Sequence, residues 1–305
     1  MSLPIQISLP DSFFKDEILC GYNVNSKMKR IWAVQLDLLC KFTDVCDRHS
    51  IKYQVFAGTL LGLIRHHGFI PWDDDIDVAL DRENFEKLVA IGQLEFNEPY
   101  FLQTALSDRE AFLSEARLRN SCTTAYVKGQ STQRSNNGIY IDIFVLDGVV
   151  RNRLLIYVQN IFKVLIRKIL TTYNRREDGA SLFNRLFANL VAPISHVLRF
   201  DTWYRLYHRV LSMYTPFTNY IGLVTHSNAF MRKYVITKHE FENSRTMEFE
   251  GFKVRAPQDY DSILSRMYGD YMSFPPLEAR GNWHHGAIMF DPEHSYRELL
   301  DGHAC

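Results

Sequence analysis

Five aspartates fall within the nine residues from 73 to 81, in a chain that has 35 acidic and 35 basic residues. The letters "DIDVALD" (75–81) alternate with a period of two, which predicts a strand with Asp75 and Asp77 on one face and apolar residues on the other. Two carboxylates on one face repel each other unless a cation lies between them. Oxygen ligands without sulfur or imidazole favour Mg²⁺ or Mn²⁺ over Zn²⁺. The segment therefore predicts a metal site.

A third acid occurs in the apolar segment "IYIDIFVLD" (139–147), where Asp142 has an isoleucine on each side. Burying a single carboxylate in such a strand is costly unless it is paired or bound to a metal. If this strand neighbours the first one, Asp75, Asp77 and Asp142 form a cluster that can hold one or two metal ions. The alternative is that Asp75 and Asp77 belong only to a turn or to a solvated edge of the sheet.

The segment before the aspartates predicts an anion site. Gly58 is expected to let the backbone turn tightly, and the first N–H groups of a helix that begins at Thr59 then point outward. Arg65, one helical turn beyond the phosphate turn, either pairs with a phosphate or is a solvent-facing arginine that caps the helix end. Phosphate on one side and metal on the other is the arrangement for phosphoryl or nucleotidyl transfer.

The residues immediately before Asp75 and Asp77 allow two interpretations each. Asp73 and Asp74 either bridge to metal-bound waters or are solvated loop acids. Trp72 either stacks on a base or is a hydrophobic anchor. A calcium-binding EF-hand loop begun at Asp73 is excluded, because Val78 occupies the position of its obligatory glycine.

The elements that must position these residues follow from hydrophobic periodicity. Apolar residues at three-to-four spacing predict a helix from about residue 27 to 48. The remaining elements of the first 150 residues are predicted strands at 51–57, 75–81, 100–104, 124–127 and 139–147, and predicted helices at 59–65 and 82–92. This part of the chain is therefore expected to be mixed α/β.

Beyond residue 150 the pattern is helical as far as about residue 215. A hairpin is predicted at 246–256, turning at Glu250 and Gly251, followed by a helix at 257–269 whose first turn contains Pro257. The predicted organisation is a catalytic core at 1–150, a helical insert at 151–215 and a C-terminal α/β segment at 216–305 that completes the active site.

The composition excludes several classes of protein. With a net charge of zero, the chain has no global field that would attract nucleic acid. Five widely spaced cysteines without a CxxC pair, and the lack of a secretory signal at the start, favour a cytoplasmic protein. No stretch reaches the ~18 uninterrupted apolar residues that a membrane span needs.

One segment departs from the neutral balance. Residues 151–199 combine long apolar faces with a strong local excess of positive charge. The basic residues considered are Arg151, Arg153, Lys163, Arg167, Lys168, Arg175, Arg176 and Arg185. Such helices either contact an anionic bilayer at the inner face of the cytoplasmic membrane or pack on the catalytic core with a solvated basic face.

The opening segment also carries a family resemblance. "GTLLGLIRHHGFIPWDDDIDVAL" (58–80) resembles the signature of the LicD family of phosphotransferases, to which the fukutin-related proteins are also similar. Further matching segments are "KRIWAVQLDLLCKF" (29–42), "IDIFVLDG" (141–148) and "PQDYDSILSRMYGDYMSFPP" (257–276), the last followed by the pair His284 and His285. The resemblance spans about residues 28–148 and 246–286, and the helical insert is its least matched part.

The resemblance implies an α+β fold, with a nucleotidyltransferase-like mixed sheet and flanking helices. It implies that the metal-binding acids are Asp75, Asp77 and Asp142 and that the nucleotide turn is formed by Gly58 and Thr59. It also favours His284 and His285 as loop histidines near a phosphate, rather than as structural residues.

The reaction implied by the resemblance is transfer of a phospho-alcohol such as phosphocholine. The donor would be CDP- or CMP-activated, and the acceptor a sugar hydroxyl of a bacterial surface glycan on a lipid carrier. Two alternatives remain, a nucleotidyltransferase that is attacked at the α-phosphorus and a non-catalytic relative that binds nucleotide or glycan. A nucleic-acid enzyme would be expected to show a basic face for the polymer, and the neutral balance of the chain disfavours that class.

Overall fold

The structure is a computed structural model, and it describes residues 3–111, 113–127, 134–173, 192–226, 232–280 and 287–301. Its helices are α1 (Ser26–Arg48), α2 (Ala57–His66), α3 (Arg82–Glu95), α4 (Arg153–Tyr173), α5 (Phe200–Ser212), α6 (Lys238–Glu242), α7 (Tyr260–Tyr268) and α8 (Tyr296–Asp301). Its strands are β1 (Glu17–Leu19), β2 (Tyr22–Val24), β3 (Gln54–Val55), β4 (Asp77–Asp81), β5 (Tyr100–Gln103), β6 (Ala116–Asn120), β7 (Thr124–Val127), β8 (Ile139–Gly148), β9 (Tyr220–Gly222), β10 (Ile236–Thr237), β11 (Ser244–Phe249), β12 (Phe252–Pro257) and β13 (Ala287–Asp291).

Strand β8 is the centre of a mixed, seven-stranded sheet. On one side it pairs in parallel with β4, which in turn pairs antiparallel with β3. On the other side its first half pairs antiparallel with β6, and its last two residues pair with β9. Helices combined with a mixed sheet confirm the predicted α+β class.

Helix α1 confirms the prediction for residues 27 to 48 and covers the sheet. Asn25 caps its first turn, because the side chain accepts a hydrogen bond from the backbone N–H of Met28. Trp32, Leu36 and Leu39 are fully buried on its inner face. This apolar face joins one large core that includes β3, β4 and β8.

The unit around β3 and α2 differs from the prediction. The strand at 51–57 is reduced to two residues, and α2 begins at Ala57 instead of Thr59. The residue with a left-handed backbone is Ala57, at φ 45°, so the tight turn was wrongly assigned to Gly58. Strand β4 likewise begins at Asp77, which places Asp75 in the loop that leads into it.

The predicted hairpin is confirmed, whereas the proline after it was assigned to the wrong element. Glu250 and Gly251 both have positive φ between β11 and β12, as a tight two-residue hairpin turn requires. Pro257 is the last residue of β12, opposite Ser244, and α7 begins only at Tyr260. The ladder does not need an N–H donor at the end of a strand, so a proline is as well tolerated there as in the first turn of a helix.

Helices α4 and α5 pack on each other and form a second, smaller core that includes Ile166, Leu170, Phe200 and Tyr207. The structure corrects one part of the predicted basic edge. Lys163 is buried, because its ammonium group donates to two backbone carbonyls of the segment after β9. Arg175, Arg176 and Arg185 lie outside the described residues.

Candidate active site

Three aspartates meet where the parallel strands β4 and β8 begin. Asp77 and Asp142 are direct neighbours in the β4–β8 register. Asp75, two residues upstream, points to the same place, and one carboxylate oxygen from each of Asp75, Asp77 and Asp142 lies within 4.8 Å of the others. The prediction that Asp142 lies on a strand next to the one that bears Asp75 and Asp77 is confirmed for Asp77, whereas Asp75 lies in the loop before that strand. The catalytic and metal-binding roles of the three acids remain predictions.

The cluster is larger than the sequence pattern indicated. Asp73, Asp74 and Asp75 form a second group of carboxylates with the same spacing, so Asp75 belongs to both groups. Asp73 and Asp74 are buried, and the interpretation that they are solvated loop acids is therefore wrong. Up to five carboxylates thus share one small region of the protein.

The carboxylates of the cluster repel one another. Burial raises the pKa of the Asp75 carboxyl well above its usual value, and the negative charges of Asp77, Asp73, Asp142 and Asp74 raise it further. An all-oxygen donor set of converging carboxylates is the set that Mg²⁺ and Mn²⁺ bind. The residues present therefore fit such an ion, which would neutralise the repulsion among them.

Side chains of α1 and α2 form hydrogen bonds with the backbone of the segment that carries these acids. The indole of Trp32 donates to the carbonyl oxygen of Asp73 at 3.1 Å, and the amide of Gln35 donates to that of Asp74 at 2.7 Å. The hydroxyl of Thr59 accepts from the backbone N–H of Asp77 at 2.7 Å. Helix α1 and helix α2 therefore fix the loop from two sides, and Thr59 acts here through its side chain.

Gly58 lies in the first turn of α2 and directly faces the acids. A Cβ atom at this position would lie 3.0 Å from Oδ2 of Asp73 and 3.8 Å from Oδ2 of Asp77. Glycine lets the carboxylates lie this close to the helix backbone, and it does not form the backbone turn that the sequence suggested. The first N–H groups of α2 have no partner within the helix, and they begin beside these carboxylates.

Arg117 on β6 was missed by the sequence analysis. It lies opposite Asp142 across the β6–β8 pair, and its Nε donates to Oδ1 of Asp142 at 2.7 Å. Its guanidinium stacks on Tyr140, with 3.9 Å from Cζ to the ring centre. The available signal was the alternation of Arg117 and Arg119 with apolar residues in "ARLRN", which has the period of a strand.

A pocket of about 240 Å³ opens beside the acids. Its lining includes Gly58, Trp72, Asp73, Tyr268, Tyr271 and Phe274. Trp72 is buried and contributes one wall, with Phe274 in edge contact at 6.2 Å between ring centres. Both interpretations of Trp72, base stacking and hydrophobic anchor, are compatible with this position.

Arg65 also lines the pocket but is engaged by the protein itself. Its Nη1 donates to the carbonyl oxygens of Tyr271 at 3.0 Å and Ser273 at 3.1 Å. The residue lies in the last turn of α2, as the helix-end interpretation has it, and it is half-buried. Its pairing with a phosphate stays a prediction. His284 and His285 lie outside the described residues.

A further polar group lies near Asp142. Glu115, immediately before β6, accepts from the hydroxyl of Thr225 at 2.6 Å, and Thr225 also contacts Nδ1 of His226 at 2.9 Å. Burial raises the pKa of Glu115 to about 8, and the charge of Asp142 contributes to the rise. The ring of His226 packs against Phe144, two residues after Asp142 on β8.

A carboxylate cluster at the ends of neighbouring strands, beside a helix N-terminus and a pocket, is typical of enzymes that transfer phosphorus-containing groups. Comparison with known proteins agrees with this class. Residues 50–163 match the family model described as "LicD/FKTN/FKRP, nucleotidyltransferase domain". The lipopolysaccharide cholinephosphotransferase LicD of Haemophilus influenzae is 30% identical over 245 residues, which cover 80% of this chain and 91% of that protein.

Shorter matches join the chain to two uncharacterised proteins. One, from Rickettsia prowazekii, is 39% identical over 70 residues, which are 23% of this chain and 25% of that protein. The other, from Rickettsia typhi, is 43% identical over 53 residues, or 17% of each chain. The chain belongs to the LicD family and is a phosphotransferase.

Proposed function

We propose that this protein transfers a phosphocholine-like group from a CDP- or CMP-activated donor to a sugar hydroxyl of a lipopolysaccharide-type glycan, in a reaction that requires Mg²⁺ or Mn²⁺. The relative in Haemophilus influenzae is named for cholinephosphate transfer and lipopolysaccharide, and it aligns with most of this chain. The observation that carries the proposal is the convergence of Asp75, Asp77 and Asp142 beside α2.

Asp75, Asp77 and Asp142 are the residues that would hold the divalent ion. When bound, the ion supplies positive charge against the diphosphate oxygens and the leaving nucleotide. Arg117 already binds Oδ1 of Asp142, so the Asp142 carboxylate offers its other oxygen to the cluster. Arg117 thereby fixes the orientation of Asp142 and adds a positive charge of the protein itself.

In this proposal the two ends of the donor bind at different places, one at the N-terminus of α2 and the other in the pocket. Backbone N–H groups in the first turn of α2 favour the diphosphate, which Gly58 allows to approach. The aromatic lining of the pocket, which includes Trp72 and Tyr268, is assigned to the phospho-alcohol end, since aromatic faces attract a quaternary ammonium group. These rings already attract cations of the protein, with Arg280 Cζ 4.7 Å from the ring centre of Trp72 and Lys233 Nζ 4.4 Å from that of Tyr268. Asp73, on the same lining, adds a negative charge.

The bond changes distinguish this reaction from nucleotidyl transfer. In phosphocholine transfer, the acceptor oxygen forms a bond to the phosphorus that bears choline, the bond to the CMP oxygen breaks, and the hydroxyl proton leaves to a base. In nucleotidyl transfer, the attacked atom is the α-phosphorus, and a triphosphate donor releases pyrophosphate. The products therefore identify the reaction.

The test incubates the purified full chain with Mg²⁺, a lipopolysaccharide acceptor and either CDP-choline or CTP. We expect CMP and a phosphocholine-bearing acceptor by mass spectrometry, and no product with EDTA. Asp77→Asn should abolish turnover, whereas Asp44→Asn, which changes an exposed acid of α1, should not. Pyrophosphate release from CTP would establish the nucleotidyl reaction instead, and full turnover in EDTA would refute the role of the metal.

A further inference from the structure

Helix α4 buries two polar side chains and also exposes a wide apolar face. Its buried stripe contains Gln159 and Lys163 beside the apolar residues Ile156, Ile166, Ile169 and Leu170. The amide of Gln159 donates to the carbonyl oxygens of Val210 and Leu211 at 2.9 and 3.1 Å. Lys163 donates to those of Val224 and His226 at 2.9 and 3.0 Å. The polar groups of this stripe therefore fasten α4 to the rest of the protein.

The opposite side of α4 is apolar and exposed. Leu154, Tyr157 and Val164 are 67%, 65% and 62% exposed. The complete outer face consists of Leu154, Leu155, Tyr157, Ile161, Phe162, Val164 and Leu165. At 100° per residue these side chains cover roughly half of the helix circumference. A surface helix normally has polar residues there, and an exposed apolar patch of this kind marks an interaction site.

The charges around the outer face have one sign. Residues 153–173 contain no aspartate or glutamate. Arg153 and Arg167 are exposed at one edge of the outer face, and the half-buried Lys168 lies near its C-terminal end. Arg151 precedes the helix and is also exposed. An apolar face on a helix that carries cations and no anions is complementary to an anionic, apolar partner.

The geometry of α4 fits a surface contact. With 21 residues the helix is roughly 30 Å long at 1.5 Å per residue. Within the described ranges, no helix has the length and apolar composition that crossing a membrane requires. Interfacial helices lie flat instead, with the apolar face among the acyl chains and the cations among the headgroups.

We propose that the outer face of α4 binds the surface of an anionic lipid bilayer. Leu154, Tyr157, Ile161 and Phe162 enter the boundary between headgroups and acyl chains, and Arg153, Arg167 and Lys168 contact anionic headgroups. The proposal does not depend on which reaction the active site catalyses, because its test measures binding only.

The test is flotation of the purified full chain with vesicles of phosphatidylcholine, alone or with one third phosphatidylglycerol. We expect binding only with phosphatidylglycerol, and a loss of at least tenfold between 50 and 500 mM NaCl. Ile161→Ser with Phe162→Ser should reduce binding at least tenfold, and so should Arg153→Glu with Arg167→Glu. The matched controls are Leu94→Ser and Lys87→Glu, which change exposed residues of α3 and should leave binding unchanged.

A second measurement reports on the face directly. Phe162→Trp should show a blue-shifted emission when phosphatidylglycerol vesicles are added, and no shift with phosphatidylcholine alone. Equal flotation with neutral and anionic vesicles would overturn the proposal. The absence of flotation with both kinds of vesicle would overturn it as well. A dimer in sedimentation that Ile161→Ser with Phe162→Ser dissociates, without vesicle binding, would assign the face to a second copy of the chain instead.

Discussion

Replacing Gly58 by alanine should separate stability from activity in this protein. Gly58 is the second residue of α2, and glycine in a helix costs about 0.5–1 kcal/mol relative to alanine. The added methyl group would lie 3.0 Å from Oδ2 of Asp73, which is a side-chain atom that can move by a few tenths of an ångström. We therefore expect the free energy of unfolding of Gly58→Ala to be unchanged or up to about 1 kcal/mol higher.

The same methyl group should greatly reduce turnover. It would lie between the first turn of α2 and the carboxylates, where the diphosphate of the donor is proposed to bind. A displacement of about 1 Å at a reacting centre costs on the order of 100-fold in rate, or about 2.7 kcal/mol. Because the contact with Asp77 is an ordinary one at 3.8 Å, the affinity for Mn²⁺ should change less than about threefold.

The assay combines urea unfolding, Mn²⁺ titration and turnover with CDP-choline. The matched control is Gly62→Ala in the same helix, where the Cβ would lie 2.4 Å from the backbone oxygen of Gly68 and cannot be accommodated by a side-chain movement. That variant should be destabilised instead. If Gly58→Ala keeps turnover within threefold of the wild type, the placement of the diphosphate at α2 is wrong.

Three other substitutions test the surroundings of the site. Arg117→Met should lower the stability of the metal-free protein by about 3 kcal/mol, because it leaves Asp142 partly buried without its partner; added Mg²⁺ should raise its melting temperature more than that of the wild type, and an equal rise would contradict this. Asp147→Asn should lower the free energy of unfolding by about 3–5 kcal/mol without changing Mn²⁺ affinity, since it breaks a buried ion pair with Arg82; a change below 1 kcal/mol would refute the estimate. Glu115 has a raised pKa of about 8, so its contribution to stability is complete below the ordinary value of 4.5 and is lost as the pH rises through 8. Urea unfolding of the wild type at pH 5, 6.5 and 8 should show this decline in the free energy of unfolding, at most about 1.4 kcal/mol per pH unit. Glu115→Gln should not show it.

The parts of the fold that sequence predicted are those with a local signal. Helix α1 has an apolar face at regular spacing, and β8 is a long apolar run in which Asp142 has an isoleucine on each side. The hairpin at Glu250 and Gly251 has turn chemistry between two alternating segments. The meeting of Asp77 and Asp142 followed from the same logic, because a lone carboxylate in an apolar strand needs a charged neighbour or an ion.

The parts that were missed depend on distant residues. Strand β6 buries Arg117 and Arg119, and burial of arginine is possible only because Asp142, Gln103 and the carbonyl oxygen of Gly138 lie around them. The start of α2 at Ala57 has no local signal, since alanine rarely adopts a positive φ. Buried polar contacts between distant segments are not encoded in any single window of the sequence.

The hydrogen bonds from Arg65 to Tyr271 and Ser273 have a consequence for how the protein is made. They join positions 206 and 208 residues apart, and they hold the segment that forms one wall of the pocket. The acids of the carboxylate cluster, by contrast, all lie at or before Asp142 in the sequence. During synthesis the acids are therefore complete when less than half of the chain has left the ribosome, while the pocket must wait for nearly all of it. A chain that ended before residue 271 would keep every carboxylate of the cluster and lose this wall of the pocket.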